Sequence, residues 1–368
     1  MSVQNFIQAV VEEKEGFALD EPWRLNEESL SVIVPVKRTI DEKRDYITLA
    51  EAKNIEISDT GQIDYVFVKN NEDVPLLISR GELFRGKTQE RAAIHGHVIM
   101  AGKSSRVAVR CIHKSKGINT GAEMKYGGKT PYGVDLSSQQ KAWHSVDVVS
   151  NMYFTNSGQD VHRTPERRCY PGSIDRTLFS KSIDSNAMSM PDVMGVSNML
   201  SCGITGSAKA TFTSGNAGAA FNASNIGAAD DLVGTLDSMS DMIKEMLKKI
   251  PPVENQVGAV FIYENNIKGL DIYNLPDSWK AIKDDVIEKE GSDYIKKEDN
   301  NLFELKPEKV RALLGKKLNV TFEEKVIYED KDYKIIEVRE VSDLKKPRLI
   351  GEAVEFNNKV IHLTMYMS

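Results

Sequence analysis

The chain has 368 residues, of which 40% are hydrophobic and 28% are charged, and its formal net charge is −6. This length fits two or three domains of roughly 100–200 residues, or one large domain. The acidic balance argues against a dedicated nucleic-acid-binding protein, which usually carries a basic domain, and three scattered cysteines exclude a disulfide framework. The acidic N-terminal segment lacks the pattern of a signal peptide, and no apolar run approaches the ~20 residues that span a bilayer. These features predict a soluble cytoplasmic protein without a membrane partner.

Short apolar segments separated by turns make up the first part of the chain. SVIVPV (31–36) is the first of them, and IDYVFVKN (63–70) has the period-2 alternation of a half-buried strand. IHGHVIM (94–100) and RVAVRCI (106–112) flank a glycine-containing loop, which predicts that the two segments pair as a hairpin. Strand patterns outnumber helix patterns here, so an antiparallel core is expected.

Helices are predicted at a few places in the same part of the chain. Residues 2–14 have an amphipathic pattern, and the capping-box pattern at residues 48–51 predicts the start of a short helix. A second capping box at residues 137–140 precedes a helix that carries Trp143. The glycine-rich stretch 114–135 is predicted to be a loop.

The last third of the chain returns to strands. Alternating apolar segments flank Asn-Asn pairs within residues 256–274 and 349–367, and such pairs are typical of hairpin turns. Amphipathic helices are predicted over residues 279–290 and from Pro307 onward.

These elements predict an α+β fold that is mostly antiparallel β and sandwich-like, with a few peripheral helices. Because strand patterns occupy both ends of the chain, residues 1–145 and 255–368 are predicted to form one β-rich domain together. A low-charge insertion at residues 150–230 and an amphipathic helix at residues 231–250 separate the two parts.

The insertion is unusual because Lys209 is the sole charged residue between Asp192 and Asp230. One interpretation is a flexible surface segment. The other is a segment that packs against another subunit or part of the protein, since its apolar side chains bury area only when something covers them. The helix at 231–250 either packs on the core or forms a helix–helix dimer seam. The candidate interface side chains are apolar and come from both segments: Met194, Met199, Phe212, Phe221, Leu236 and Ile243.

The densest polar motif runs from Gly81 to Arg91. Glycine allows a loop to direct its backbone N–H groups toward a ligand, and such N–H groups together with arginine side chains bind phosphate or carboxylate. Glu82, Gln89 and Arg91 are therefore the candidate ligand-binding residues. The segment also matches the letters of a Walker A motif, but a P-loop follows a parallel strand and opens a helix, whereas hairpin patterns surround this segment. A structural network of turns is the alternative interpretation.

The segment LLISRGELFRGKTQERAAIHGHVIMAGKSSRVAVRCI (76–112) resembles the ARPP-1 domain family, the ARG- and rhodanese-phosphatase-associated proteins. That family is typified by the run Gly-Glu-Glu-Leu-x-Gly-Ala-Lys-Gln-Asn-Arg, and the matching positions are Gly81, Glu82, Gly86, Gln89 and Arg91. Leu83 and Glu90 depart from the run. Cys111, Gln140 and Trp143 also have counterparts in the family, and the resemblance extends over residues 30–145 and 255–367. It implies a β-rich fold and a role beside ADP-ribosylation and phosphatase-type proteins, without a defined reaction.

Two smaller groups could carry chemistry. His95 and His97 share one face of a predicted strand, a geometry that holds a transition metal when a third ligand is present; otherwise both rings face solvent. Cys111 and His113 could form a thiol and its base, but their Cα atoms lie about 7 Å apart on a strand, which favours a buried core cysteine. No pattern indicates a cofactor.

Two functions follow from these patterns. The first is a non-enzymatic, self-assembling or scaffolding protein that forms homo-oligomers through the insertion at 150–230, because nearly uncharged apolar sequence needs cover. The second is a ligand-binding or enzymatic module for a small anionic, ADP-ribose-like ligand at the Gly81–Arg91 segment. The sequence favours the first and leaves open whether a reaction is catalysed.

Overall fold

A computed structural model describes a discontinuous set of residues: 2–24, 31–87, 89–113, 117–131, 134–146, 247–248, 250, 252–263, 266–290, 306–341 and 349–367. The insertion predicted at 150–230 and nearly all of the helix predicted at 231–250 lie outside the described residues, as do all six interface candidates.

The largest layer is an eight-stranded antiparallel sheet built from both ends of the chain. With strands numbered in chain order, it contains β1 (Phe17–Leu19), β2 (Ser31–Arg38), β12 (Gln256–Tyr263), β13 (Asn266–Tyr273), β14 (Phe322–Glu329), β15 (Tyr333–Glu340), β16 (Leu349–Phe356) and β17 (Lys359–Met367). Their order across the sheet is β1-β2-β12-β13-β17-β16-β15-β14. The pairing of β2 with β12 joins the first part of the chain to the last.

The remaining strands form a closed barrel and a small sheet. The barrel strands are β4 (Ile55–Asp59), β5 (Tyr65–Asn70), β7 (Glu82–Gly86), β8 (Arg91–Ala93), β10 (Ser104–Cys111) and β11 (Glu123–Lys129). The barrel closes in the order β10-β5-β4-β11-β7-β8. The three-stranded sheet contains β3 (Ile47–Thr48), β6 (Leu76–Ile78) and β9 (His97–Ile99).

Four helices cover these sheets in the described part of the chain: α1 (Val3–Val11), α2 (139–146), α3 (Pro276–Glu290) and α4 (Pro307–Leu318). Ser2 caps α1 as its side chain accepts a hydrogen bond from the Asn5 N–H. None of the helices that the structure describes has the length and apolar character needed to cross a membrane.

The layers pack through alternating faces. Helices α1 and α4 cover one face of the eight-stranded sheet, and α3 with the three-stranded sheet packs on the other. In β6, Leu77 faces the large sheet while Leu76 and Ile78 enter the barrel interior, as period-2 alternation requires. Helix α2 covers the outside of the barrel. The three-stranded sheet therefore lies between the barrel and the large sheet.

The prediction of an α+β fold with mostly antiparallel strands is confirmed. The helices predicted at 2–14, 279–290 and from Pro307 are present. The hairpin within 349–367 is also present, and Asn357 and Asn358 both have positive φ in its turn.

The hairpin predicted between residues 94–100 and 106–112 is wrong. Strand β9 pairs with β6, whereas β10 pairs with β5 and β8 in the barrel. The reason is burial: Val98 and Ile99 of β9 fill two different cores on its two faces, so this strand needs cover on both sides.

Two further local predictions fail. The capping-box residues at 48–51 form one of the motif's two hydrogen bonds, in which the Thr48 N–H donates to Glu51 Oε1 at 2.7 Å, while the Glu51 N–H donates to the Thr48 backbone oxygen instead of its side chain. The segment is a turn, because the chain re-enters a strand at Ile55 before a helix can propagate. The loop predicted at 114–135 contains β11 instead, since its glycines occupy an irregular strand of the barrel.

Candidate functional site

Two neighbouring strands of the eight-stranded sheet direct polar side chains toward the barrel. The apolar neighbours of Asp271 in β13 pack against α1 and α4, so alternation places Asp271 and Tyr273 on the opposite face. In β17, Thr364 lies opposite Asp271 and His362 lies opposite Tyr273. Directly opposite residues of an antiparallel pair share one face at contact distance. The register therefore assembles four buried polar side chains.

Barrel strand β11 supplies the cation of this group, Lys129. The pairing of β11 with β7 is irregular between Tyr126 and Lys129, and Gly128 there has a φ of 94°. Such a bulge re-aims the side chain that follows it, and glycine adopts positive φ without strain. Lys129 lies opposite Glu82 in β7, and its Nζ donates a hydrogen bond to Asp271 Oδ2. This buried ion pair joins the barrel to the large sheet.

Asp271 also holds His362 in place. The Asp271 Oδ1 lies 3.0 Å from His362 Nε2. The Tyr273 ring stacks on the imidazole with ring centroids 4.4 Å apart, and its hydroxyl lies 2.9 Å from Ser79 Oγ. The imidazole is thus oriented by a carboxylate at its edge and an aromatic ring on its face.

The charges of this group follow from burial and pairing. Burial alone would raise the pKa of Asp271, but the Lys129 charge and the His362 contact outweigh burial and lower this pKa to about 2. Burial lowers the pKa of His362, and the adjacent Asp271 only partly offsets that effect. At neutral pH Asp271 is therefore ionised and His362 is neutral.

Glu82 is the second acid beside Lys129, and its environment differs. Its side chain is fully buried, and neither carboxylate oxygen has a hydrogen-bond partner among the residues that the structure describes. Burial raises the pKa of Glu82 to about 8, while the Lys129 charge opposes this increase and Asp271 and Asp285 add to it. Glu82 therefore keeps its proton at neutral pH, whereas Asp271 has lost its own.

A small cleft opens onto Lys129 where the barrel meets the large sheet. Its polar lining residues carry cationic and hydroxyl side chains: Arg80, Lys129, Thr130, Thr364 and Tyr366. The other lining residues are Gly81 and three apolar residues: Pro131, Val134 and Leu136. The Arg80 guanidinium donates to Ile94 O and to the Tyr366 hydroxyl, the latter at 3.1 Å, and it lies 5.3 Å from the Tyr366 ring centroid.

The three predicted ligand-binding residues lie in different surroundings. Arg91 is buried and donates to both carboxylate oxygens of Asp59 at 3.2 Å and to nearby backbone carbonyl oxygens. Gln89 donates to His113 O at 3.1 Å. In the described part of the chain, no hydrogen bond or ion pair joins any two of Glu82, Gln89 and Arg91. The structure therefore places Glu82 beside Lys129 and the other two residues in separate networks.

The two histidines singled out for metal binding have separate partners. His95 Nδ1 lies 2.6 Å from Glu352 Oε2. His97 contacts Ser105 and Tyr333 instead. Within the described ranges, no group of three or more His, Cys, Asp or Glu side chains is arranged to hold a metal ion.

Cys111 is buried, as predicted, and it is part of a structural contact. Its Sγ donates to His113 O at 2.9 Å, and burial raises the pKa of the thiol to about 12, so the thiol stays protonated. The Gln139 amide bonds both the N–H and the carbonyl oxygen of Cys111, at 2.9 and 2.6 Å. These bonds fasten α2 to the barrel.

The candidate residues predicted from the sequence did not include Lys129, Asp271 or Tyr273. The available signal was Asp271 itself, a charged residue flanked by Leu270 and Ile272 in an otherwise apolar strand. An acid at an inward strand position requires a buried partner.

Comparisons with known proteins give one match. The matching family model is described as the ARG and Rhodanese-Phosphatase-superfamily-associated Protein domain and covers residues 17–366. No curated protein and no solved structure matches the chain. Because the family model spans nearly the whole chain, this protein belongs to the ARPP-1 domain family.

Proposed function

We propose that the cleft between the barrel and the large sheet binds a small anionic ligand. The observation that carries this proposal is the lining of the cleft, which contains the Arg80 and Lys129 cations and the hydroxyl side chains of Thr130 and Thr364. Asp271 already neutralises Lys129, so the net positive charge of the lining comes from Arg80. Burial raises the pKa of Glu82 to about 8 and keeps this second carboxyl neutral at neutral pH, whereas an ionised Glu82 would repel an anion.

The lining of the cleft supports an anion with an apolar portion. Lys129 has N–H groups beyond the one directed at Asp271, and Arg80 also lines the cleft. The hydroxyls of Thr130 and Thr364 can donate to an anionic oxygen. Pro131, Val134 and Leu136 also line the cleft, which favours a ligand with an apolar part beside its charge.

We expect a small anion to raise the melting temperature of the full chain, because it stabilises the folded state on binding. The probes are inorganic phosphate, butyrate, ADP and ADP-ribose in a thermal-shift assay. Arg80→Gln removes one cation from the cleft lining and should weaken binding of the stabilising probe about tenfold or more. The reason is that hydrogen bonds to charged groups contribute about 1.5–3 kcal/mol.

Lys125→Gln is the matched control, because Lys125 lies on the same strand as Lys129 but is exposed. It removes the same charge from the protein without changing the cleft. If no probe raises the melting temperature, or if Arg80→Gln and Lys125→Gln weaken binding equally, the cleft is not an anion site.

Self-assembly is the second candidate, supported by the low charge of residues 150–230 with their apolar side chains. We expect light scattering after size exclusion to give a mass above that of one chain, and deletion of residues 185–229 to reduce it. A full-length chain that elutes with the mass of a monomer would contradict this candidate and would leave the anion proposal unaffected.

A further inference from the structure

Three polar side chains, one from each sheet, are connected in series by hydrogen bonds. Ser105 comes from barrel strand β10, His97 from the three-stranded sheet and Tyr333 from the eight-stranded sheet. The Ser105 Oγ lies 2.7 Å from His97 Nε2, and the Tyr333 hydroxyl lies 3.0 Å from His97 Nδ1. The two imidazole nitrogens therefore have different partners.

A hydroxyl, an imidazole and a third group that orients the imidazole are the parts of an activated nucleophile. We propose that Ser105 is the nucleophile of an acyl-transfer site, with His97 as its general base and Tyr333 as the positioning residue. This site uses none of the residues that line the cleft.

The hydrogen-bond geometry suits these roles. When His97 Nδ1–H donates to the Tyr333 oxygen, Nε2 becomes the acceptor for the Ser105 proton. The other acceptor near Ser105 Oγ is the Arg106 carbonyl oxygen at 3.5 Å. This distance is too long for a strong hydrogen bond, so the Arg106 oxygen competes poorly with His97 for the Ser105 proton. Burial lowers the pKa of His97 to about 4, and Asp330 opposes this effect, so the ring is neutral at neutral pH and its Nε2 lone pair can accept a hydrogen bond from the Ser105 hydroxyl.

The surroundings define the class of substrate. Ser105 is half-buried near the start of its strand and lies between the exposed residues Ser104 and Arg106, so the site is close to the protein surface. The ring of Tyr328 is 39% exposed, and its centroid lies 5.0 Å from the Tyr333 ring and 6.3 Å from the His97 ring. An exposed aromatic ring beside the His97 base favours an ester with an apolar or aromatic group.

The reaction is the hydrolysis of an ester in two steps. First, Ser105 Oγ bonds to the acyl carbon while its proton moves to His97 Nε2, and the ester C–O bond breaks as that proton passes to the leaving alcohol. Water then gives a proton to His97 and its oxygen to the acyl carbon, and the Ser105 Oγ–carbon bond breaks as the hydroxyl recovers the proton. The products are a carboxylic acid and an alcohol.

A fluorophosphonate probe tests the nucleophile directly, because it replaces its fluoride with a serine oxygen. We expect the full chain to gain one phosphonyl group, located on Ser105 by peptide mass mapping. Ser105→Ala should abolish this label. Ser104→Ala is the matched control, because Ser104 is the preceding serine of the same strand and is exposed; it should leave the label unchanged.

The base and the positioning residue are tested by rates. His97→Gln should slow labelling about 100-fold or more, in line with the roughly 10²–10⁴-fold contribution of a general base. Tyr333→Phe should slow labelling while thermal unfolding stays close to that of the unmodified chain. A p-nitrophenyl butyrate assay should show a burst of nitrophenolate near one per chain.

Three results would overturn the proposal. These are a folded chain without label on Ser105, equal labelling of Ser104 and Ser105, and a labelling rate that His97→Gln leaves unchanged. Circular dichroism of each variant shows that it is folded, so that loss of labelling is read only from folded protein.

Discussion

Replacing Lys129 by methionine is expected to lower the free energy of unfolding by about 3–5 kcal/mol, the usual cost of removing one partner of a buried ion pair. Asp271 would remain fully buried without its cation, with His362 as its remaining contact. Because the Lys129–Asp271 pair bridges the barrel and the large sheet, the loss also weakens the contact between these layers. Urea-induced unfolding monitored by circular dichroism measures the difference.

The double variant Lys129→Met with Asp271→Leu separates the cost of an unpaired charge from the value of the pair. Replacing both charges by apolar groups should recover most of the lost stability, to within about 2 kcal/mol of the unmodified chain. Lys125→Met, an exposed substitution on the same strand, should stay within about 0.5 kcal/mol. A loss below about 1 kcal/mol for Lys129→Met alone would show that the pair is not buried in solution.

Local patterns predicted the strands of this fold better than their partners. Alternation correctly assigned apolar residues to inner faces, because a strand's period of two is a local property. Partner choice depends on contacts across the whole chain. Strand β9 is only three residues long, and the glycine loop before β10 suggested a hairpin, yet β9 pairs with β6 because its two faces complete two separate cores. No turn residue carries that information.

The candidate site illustrates the same limit. Glu82 was singled out because it lies in a glycine-bracketed polar segment that also resembles the family's run. The residues that surround Glu82 in space were not singled out, because they are far apart in the sequence and form no local pattern. Lys129 and Asp271 are 142 residues apart, and Asp271 and His362 are 91 residues apart. Arg91 was chosen for its charge and position, but buried arginines also satisfy backbone carbonyl groups, as Arg91 does here.

Glu82→Gln is expected to remove a large pH dependence of stability. The pKa of Glu82 is about 8 in the folded chain, against an ordinary value of 4.5 for a glutamate side chain. Between these values the folded state binds a proton that the unfolded state has released, so stability falls as pH rises. The stability that protonated Glu82 contributes is fully present below pH 4.5 and is lost by about pH 8. At 1.36 kcal/mol per pKa unit, the difference between the two pKa values corresponds to a loss of about 5 kcal/mol.

The glutamine variant keeps a neutral side chain of nearly the same shape at every pH. The free energy of unfolding of each protein is measured in urea at pH 5 and at pH 9. Between these two pH values the unmodified chain should lose about 4 kcal/mol more than the glutamine variant does. The lowered pKa of His362 makes stability fall below pH 6.5 in both proteins, and this effect cancels in the difference. Glu123→Gln, an exposed change on β11, should show no such gain.

The same titration should control anion binding, which links the stability of the fold to the proposed function. Above pH 8 an ionised Glu82 would add a negative charge beside Lys129, so the affinity of the stabilising anion should fall in the pH range where stability has been lost. Glu82→Gln should bind that anion with an affinity that changes little between pH 7 and pH 9. If stability and affinity depend on pH in the same way in the unmodified chain and in Glu82→Gln, then Glu82 is ionised in the folded chain at neutral pH. The cleft would then have no net positive charge at neutral pH.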